Sequence, residues 1–232
     1  MIDIDIVNKS YEDKTILKNI NITIKDKEFI SIIGPSGCGK TTFLNILAKI
    51  DEEFAGEIKH NISNLSFVFQ DDRLLPWLSI KQNLLLVSKS KNLDEIKELL
   101  RLVKLETILD KYPHNLSGGM KRRVALIRAF INSPKLILLD EPFISLDYPT
   151  ALELKKEFLT LCKKFNPIVV LVTHDLSEAI NLSNRILFFK KEPAKVIIEY
   201  NNPNNQSFDM KKIDDIKNKI LQEYPSILKG EI

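Results

Sequence analysis

Residues 34–41 have the types and spacing that bind a phosphate chain. They match the pattern G-x-x-x-x-G-K-[ST] and are followed by Thr42; in order they are Gly34, Pro35, Ser36, Gly37, Cys38, Gly39, Lys40 and Thr41. The glycines let successive backbone N–H groups approach phosphate oxygens. Lys40 is predicted to reach the β and γ phosphates, and the Thr41 hydroxyl to ligate Mg²⁺. The pattern predicts a nucleoside triphosphate site; the alternative is a glycine-rich loop with a surface lysine.

Two adjacent carboxylates follow a second apolar run. Asp140 and Glu141 come directly after Leu136–Leu139, which is typical of a buried strand. This arrangement lets Asp140 hold Mg²⁺ through water while Glu141 faces the attacking water. An edge turn with two solvated acids is the alternative, and the phosphate loop in the same chain makes it the weaker one.

A third motif opens a helix with two glycines. Ser117 is predicted to cap that helix, and Gly118 and Gly119 to expose N–H groups at its positive end. Since one triphosphate needs one phosphate loop, the simplest use of this second anion site is another molecule's γ-phosphate in a head-to-tail dimer. An ordinary serine cap with a glycine-rich entry is the alternative.

The elements around these motifs predict an α/β fold. Alternating isoleucines at positions 2–6 and 20–24 predict antiparallel strands. Buried strands are predicted at Phe29–Ile33, Leu136–Leu139 and Ile168–Val172, a helix reaches to about Ile50, and a short β segment covers Gly56–Phe69. Helical periodicity fills about sixty residues after Gln70. Late strands are predicted at Ile186–Phe189 and Val196–Tyr200, then an Asn-rich linker at 201–206 and a helix at Met210–Leu221.

Composition limits the classes of protein. The 232 residues are 44% apolar and 28% charged, which is ordinary for one globular domain. No apolar run approaches the roughly 18 residues of a membrane span, and the N-terminus is acidic where a signal peptide is basic. We therefore expect a cytosolic chain unless a partner holds it at a membrane. A net charge of +3 does not argue for a nucleic-acid partner.

Six motifs occur in the order found in one family, and over essentially residues 2–190 the chain resembles the ATP-binding subunits of ABC transporters. The motifs are the phosphate loop, Gln70 after the strand Leu65–Phe69, Leu116–Gly119, Asp140-Glu141, Ser145-Leu146-Asp147 and Thr173-His174-Asp175. The resemblance implies a single ABC-type P-loop ATPase domain over 1–232. It has a mixed or parallel sheet core, an N-terminal antiparallel β subdomain, a helical subdomain inserted at about 71–128 and a C-terminal tail at about 201–232.

The resemblance also implies residue roles. Tyr11 stacks on adenine, Gln70 senses Mg²⁺ and the membrane partner, Asp147 communicates across a dimer, and His174 contacts the γ-phosphate. An aromatic ring has a π-face for a base, although Tyr11 between two strands is also typical of a packing or turn residue. Met120 stands where the family commonly has Gln, and the Ser-Gly-Gly backbone donors are unaffected by it.

The mechanism implied by the resemblance involves partners. Two copies form a homodimer on binding two ATP·Mg²⁺, hydrolysis reopens it, and the helical subdomain passes the movement to integral membrane permease subunits. A solute-binding protein is an indirect partner, and the chain lies peripherally on the inner face of the cell membrane. Residues 71–80, with Asn83, resemble the nitrate, sulfonate and taurine importers. Trp77 belongs to that stretch, and an equal alternative is that it is a core residue of the helical subdomain.

Several interpretations stay open at the level of sequence. A non-transport ABC ATPase would predict a long coiled coil or two nucleotide domains, and neither is present. A nucleotide-gated ATPase that regulates a membrane cell-envelope complex is harder to exclude. Lys121-Arg122-Arg123 is interpreted as a solvated helix face rather than a phosphate or nucleic-acid patch. Residues 210–232 are predicted to pack on the core or on a second subunit, without a choice between them.

Overall fold

The computed structural model describes residues 1–203 and 205–231. Asn204 and Ile232, both in the predicted tail, lie outside the described residues. Packing divides the chain into two units. The first contains residues 1–62, 138–141 and the described residues from Ile168 onward. The second contains residues 63–137 and 142–167.

An antiparallel sheet opens the first unit. Its strands are β1 (Ile2–Tyr11), β2 (Lys14–Ile24) and β4 (Ala55–Lys59), in the order β2-β1-β4. The alternating isoleucines of β1 and β2 are all at most 4% exposed, because the period of two directs them to one face. The predicted antiparallel N-terminal subdomain is confirmed.

The larger sheet positions the site. In the first unit its strands run in the order β6-β7-β3-β8-β9. The bounds are β3 (Phe29–Ile33), β6 (Leu136–Asp140), β7 (Ile168–Val172), β8 (Arg185–Phe189) and β9 (Val196–Asn201). β3 is parallel to both β7 and β8, whereas β9 is antiparallel to β8, so the sheet is mixed. Every residue of β3, β6 and β7 is buried, which agrees with their continuous apolar sequences.

The helices of the first unit are α1 (Lys40–Leu47), α6 (Leu176–Leu182) and α7 (Met210–Glu223). The short 3₁₀ helix Ile227–Lys229 follows α7. α1 ends three residues before the predicted Ile50, since Lys49 adopts a left-handed backbone conformation and its N–H bonds the Ile46 carbonyl. α7 begins at Met210, as predicted from the periodicity.

The second unit contains strand β5 (Leu65–Val68) and most of the helices: α2 (Ile80–Val87), α3 (Leu93–Leu102), α4 (Gly118–Phe130) and α5 (Tyr148–Phe165). The helical periodicity predicted after Gln70 is seen in α3, where Ile96, Leu99 and Leu100 are buried. The β segment predicted at Gly56–Phe69 contains two strands, β4 and β5, and the strand predicted at Leu65–Phe69 is β5. No helix within the described ranges combines the length and apolar character needed to cross a bilayer.

Candidate functional site

The phosphate loop lies between the buried strand β3 and helix α1. Gly39, at the N-cap of α1, has a φ of 105°, a conformation that favours glycine, and as a glycine it provides no side-chain cap for the helix. A Cβ on Gly39 would lie 2.8 Å from Leu17 Cδ2, and one on Gly34 would lie 2.9 Å from the Phe189 carbonyl oxygen. The backbone is therefore enclosed on its protein side, while its helix N–H groups remain available to an anion.

Lys40 folds back over the same loop. Its side chain is 6% exposed, and its Nζ donates to the carbonyl oxygens of Gly34 at 2.8 Å and Pro35 at 3.0 Å. Backbone carbonyls thus hold the ammonium group above the loop. A phosphate oxygen placed on the loop is an alternative acceptor for this ammonium group, and a charged one forms the stronger hydrogen bond.

Thr41 and Asp140 form a second contact at the start of α1. The Thr41 hydroxyl donates to Asp140 Oδ2 at 2.8 Å. Burial raises the pKa of Asp140, and the bond from Thr41 opposes that shift. Hydroxyl and carboxylate oxygens suit Mg²⁺, which usually keeps several waters and takes few protein ligands. Among the described residues no group of three acidic, His or Cys side chains is placed to hold a metal, which is compatible with such a sparse ligand set.

Glu141 and His174 are held together at the ends of adjacent strands. The backbone N–H of Glu141 donates to the Val172 carbonyl at 2.9 Å, and Glu141 Oε2 lies 2.8 Å from His174 Nδ1. Glu141 has a φ of 46°, a conformation disfavoured for a residue with a side chain. Glu141 is 19% and His174 60% exposed in their side chains, so both groups are accessible to water. A carboxylate in this position is suited to orient a water or accept its proton.

Tyr11, at the end of β1, is tethered by two residues that the sequence analysis missed. The Tyr11 hydroxyl donates to the Asp51 carboxylate, and this bond raises the pKa of Tyr11. Lys9 Nζ bonds Asp51 Oδ1 at 2.6 Å and lies 4.3 Å from the Tyr11 ring centroid. Burial raises the pKa of Asp51, but the bonds from Lys9 and Tyr11 leave it below its usual value. The Tyr11 ring remains 47% exposed.

One sequence signal could have found part of this cluster. Lys9 and Tyr11 are two residues apart in a strand, so they share a face. Asp51 lies 40 residues further along the chain, and no local pattern connects it to them.

In the second unit, Ser117 caps α4 as predicted. Its Oγ accepts from the Met120 N–H at 3.3 Å. A Cβ on Gly118 would meet nothing within 4 Å, whereas one on Gly119 would lie 2.8 Å from Thr150 Cγ2. The backbone at the start of α4 is therefore capped by Ser117, open beside Gly118 and closed beside Gly119.

Gln70, Gly118 and Ser145 line one cavity of the second unit. Asp147 caps α5 and accepts from the Thr150 N–H at 3.1 Å, which lowers the pKa of Asp147. Five of the predicted site positions belong to this unit: Gln70, Ser117, Gly118, Gly119 and Asp147. The others belong to the first unit: Tyr11, the phosphate loop with Thr42, Asp140, Glu141 and His174.

Two sequence interpretations change with the structure. Arg122 is not on a solvated face: it is 3% exposed, and it bonds the Phe69 carbonyl at 2.8 Å and Asp72 at 3.2 Å. A guanidinium supplies enough donors to be buried where several oxygens converge. Trp77 is not a core residue of the described chain, since its side chain is 70% exposed.

Comparisons with known proteins agree with this geometry. The model of the ABC transporter family matches residues 17–144. The aliphatic sulfonates import ATP-binding protein of Bacillus cereus is 38% identical, over 96% of this chain and 95% of that protein. The protein of the same name in Bacillus subtilis is 39% identical, over 78% of this chain and 75% of that protein.

A solved structure is also similar. The ATP-binding cassette MJ0796, in a dimeric post-hydrolysis state with ADP and Pi, is 31% identical. The match has a TM-score of 0.76 and covers 88% of this chain and all of that one. The predicted α/β cassette fold is thereby confirmed. The chain belongs to the ABC transporter family and is an ATPase of that family, acting on ATP with Mg²⁺.

Proposed function

We propose that this chain powers a membrane importer for aliphatic sulfonates or a related small solute, the class that also includes taurine and nitrate. The observation that carries the proposal is the 38% identity, over 96% of the chain, to an aliphatic sulfonates import ATP-binding protein. The transported solute does not touch an ATP-binding subunit, so the solute class rests on this similarity alone.

The site geometry supports a division of roles within the first unit. The N–H groups at the start of α1 and the Lys40 ammonium bind the phosphates, and Thr41 and Asp140 hold Mg²⁺. When bound, Mg²⁺ neutralises charge that develops on the phosphates. Glu141 orients the attacking water and accepts its proton, and His174 contacts the γ-phosphate from the neighbouring strand end. The Tyr11 ring stacks on adenine.

The second unit supplies the partner-facing residues in this proposal. Ser117, Gly118 and Gly119 bind the γ-phosphate held by a second copy, and Asp147 communicates across that dimer. The open space beside Gly118 supports an intermolecular contact. Gln70 and the helical subdomain, residues 71–128, transmit the movement to permease subunits on the inner face of the membrane. The relatives' names support import over regulation of a cell-envelope complex.

Capture from native membranes tests the partner. The Glu141→Gln chain, with ATP present, should retain a polytopic permease that is not recovered from the same membranes without the chain. Recovery of only division or envelope proteins would contradict the importer.

Uptake tests the solute. In the source cells, deletion of the gene should abolish uptake of labelled ethanesulfonate or taurine, and the parent gene should restore it. Unchanged uptake of sulfonates, taurine and nitrate would remove the proposed solute class.

A further inference from the structure

The C-terminal segment, residues 210–230, packs against the strand that leads into the phosphate loop. Ile213, Ile220 and Ile227 are each at most 3% exposed. They belong to the same buried cluster as Ile33, the residue that precedes Gly34. The sequence left open whether this segment packs on the core or on a second subunit, and the structure places it on the core.

The end of the segment reaches the phosphate loop itself. Gly230 is buried and has a φ of 77°, where it closes the 3₁₀ helix after Ile227. A Cβ on Gly230 would lie 3.2 Å from Pro35 Cδ and 3.0 Å from the Lys191 backbone nitrogen. The Pro35 carbonyl in turn accepts a hydrogen bond from Lys40. Gly230 therefore packs against the residue whose carbonyl holds the phosphate-binding lysine.

The middle of α7, in the same segment, contacts the helix that follows His174. Lys217 Nζ donates to Ser177 Oγ at 3.2 Å. The Ser177 N–H bonds Asp175, the residue that caps α6 and directly follows His174. One segment therefore touches both the phosphate loop and the turn that presents the histidine.

We propose that the C-terminal segment is a positioning element for the phosphate loop, and that Gly230 sets the position of Pro35 at which the loop binds ATP. The inference rests on the proposed role of residues 34–41 in binding phosphate. Its physical basis is close packing. Because a Cβ on Gly230 would lie only 3.2 Å from Pro35 Cδ, a displacement of Gly230 displaces Pro35 as well. Gly230 is required there because any side chain would meet the loop or the backbone of Lys191.

Gly230→Ala tests this position directly. The new methyl group meets Pro35, so we expect the Kd and KM for ATP to rise about fivefold to tenfold. The kcat at saturating ATP should stay within about twofold, because Glu141 and His174 are not contacted. Lys229→Ala, at the exposed neighbouring position, is the matched control and should keep the parent's values. A Gly230→Ala chain that is folded and binds ATP like the parent overturns the inference.

A second substitution separates positioning from a general loss of stability. Pro35→Ala removes Pro35 Cδ, the atom of the phosphate loop that the Gly230→Ala methyl group meets, and leaves the contact with the Lys191 backbone nitrogen in place. The double variant should therefore bind ATP more tightly than the product of the two single effects predicts. If Gly230 has a purely structural role, the two substitutions should affect ATP affinity independently. A loss of affinity in the double variant equal to the product of the two single losses would therefore contradict a positioning role.

Hydrogen exchange on the unsubstituted chain tests the same inference even if Gly230→Ala does not fold. By reciprocity, if the segment favours ATP binding, ATP must stabilise the segment. The backbone amides of residues 227–230 should therefore exchange more slowly with a non-hydrolysable ATP analogue than without it. Unchanged exchange in a chain that binds the analogue overturns the inference and leaves the proposed function intact. A parent chain that does not bind ATP overturns both.

Discussion

Two glycine-rich helix starts in this chain are built differently. At the start of α1, Gly39 is left-handed, no side chain caps the helix, and Leu17 closes the space beside it. At the start of α4, Ser117 caps the helix and the space beside Gly118 is empty. Both backbones present N–H groups at a positive helix end. The first is enclosed beside both Gly34 and Gly39 and is accompanied by the folded-back Lys40, whereas at the second Thr150 closes only the space beside Gly119.

The difference indicates which helix start acts alone. The loop before α1 has packed neighbours, a cation and a carboxylate nearby, which supports the proposal that one chain binds a phosphate group there. The start of α4 has N–H donors and open space beside Gly118, which supports the proposal that it completes a site on a second molecule. The following substitutions test whether the two helix starts differ in this way.

The largest effect is expected from Glu141→Gln. An amide does not accept the proton of the attacking water, so kcat should fall roughly 10²-fold to 10⁴-fold while ATP binding is retained. The variant should accumulate as a dimer with ATP, measured by size-exclusion chromatography with light scattering. Hydrolysis at the parent rate would show that Glu141 does not have this role. Glu57→Gln, on the exposed face of β4, is a matched control.

A further change to Glu141→Gln tests the start of α4. Gly118→Asp places a negative charge in open space, where it also suits the first turn of a helix. The double variant should bind ATP as a monomer and form no trapped dimer, because the carboxylate repels the partner's γ-phosphate. A dimer as stable as that of Glu141→Gln alone would place the dimer contact elsewhere.

Lys40→Ala should have the next largest effect. Loss of a charged donor to phosphate costs about 1.5–3 kcal/mol, which weakens ATP binding roughly 10-fold to 100-fold. Isothermal titration with ATP measures this change. Lys121→Ala, in the first turn of α4, removes the corresponding charge at the other helix start. The contrast predicts that Lys121→Ala leaves ATP binding to one chain within about twofold. Equal losses in the two variants would remove the distinction between the helix starts.

Alanine at Gly34 and at Gly118 should affect folding differently. The Gly34→Ala methyl group would lie 2.9 Å from both the Phe189 carbonyl oxygen and Cys38 Sγ. Such overpacking lowers the free energy of unfolding by about 1–3 kcal/mol. The Gly118→Ala methyl group meets nothing, so its change should stay within about 0.5 kcal/mol. Urea unfolding followed by circular dichroism compares the two, and similar losses would contradict the enclosed and open descriptions.

Local patterns in the sequence predicted the elements and motifs that local physics determines. Alternation predicted β1 and β2, continuous apolar runs predicted the buried strands, and the glycine pattern predicted the turn before α1. The end of β4 was not predicted, because the β segment expected over Gly56–Phe69 contains β4 and β5 as separate strands. Strands this short have too few residues for periodicity to define their bounds.

Long-range pairs were not predictable from the sequence. Lys9 pairs with Asp51 across 42 residues, and Arg122 with Asp72 across 50. A charged residue in a sequence carries no mark of burial, since burial depends on a partner that only the fold brings near. The contact of Gly230 with Pro35 belongs to the same class. The parts of the site that stabilise the motif residues are therefore found in the structure and not in the motifs.

The smallest effect concerns pH and contrasts two aspartates of the two units. Burial raises the pKa of Asp140 above its ordinary 3.8. The folded state therefore loses stability as pH rises from about the unfolded value through the raised one. The Thr150 N–H lowers the pKa of Asp147 below the same 3.8. Asp147 therefore contributes stability above the unfolded value, and this contribution is lost as pH falls through the lowered one.

Asn substitutions measure the two signs, because an amide does not titrate and still caps a helix. From pH 3 to pH 7, the stability of Asp140→Asn relative to the parent should rise, and that of Asp147→Asn should fall. Urea unfolding without nucleotide at each pH measures both. Slopes of the same sign would show that the two carboxylates have similar surroundings, which would contradict the opposite effects of burial on Asp140 and of the Thr150 N–H on Asp147.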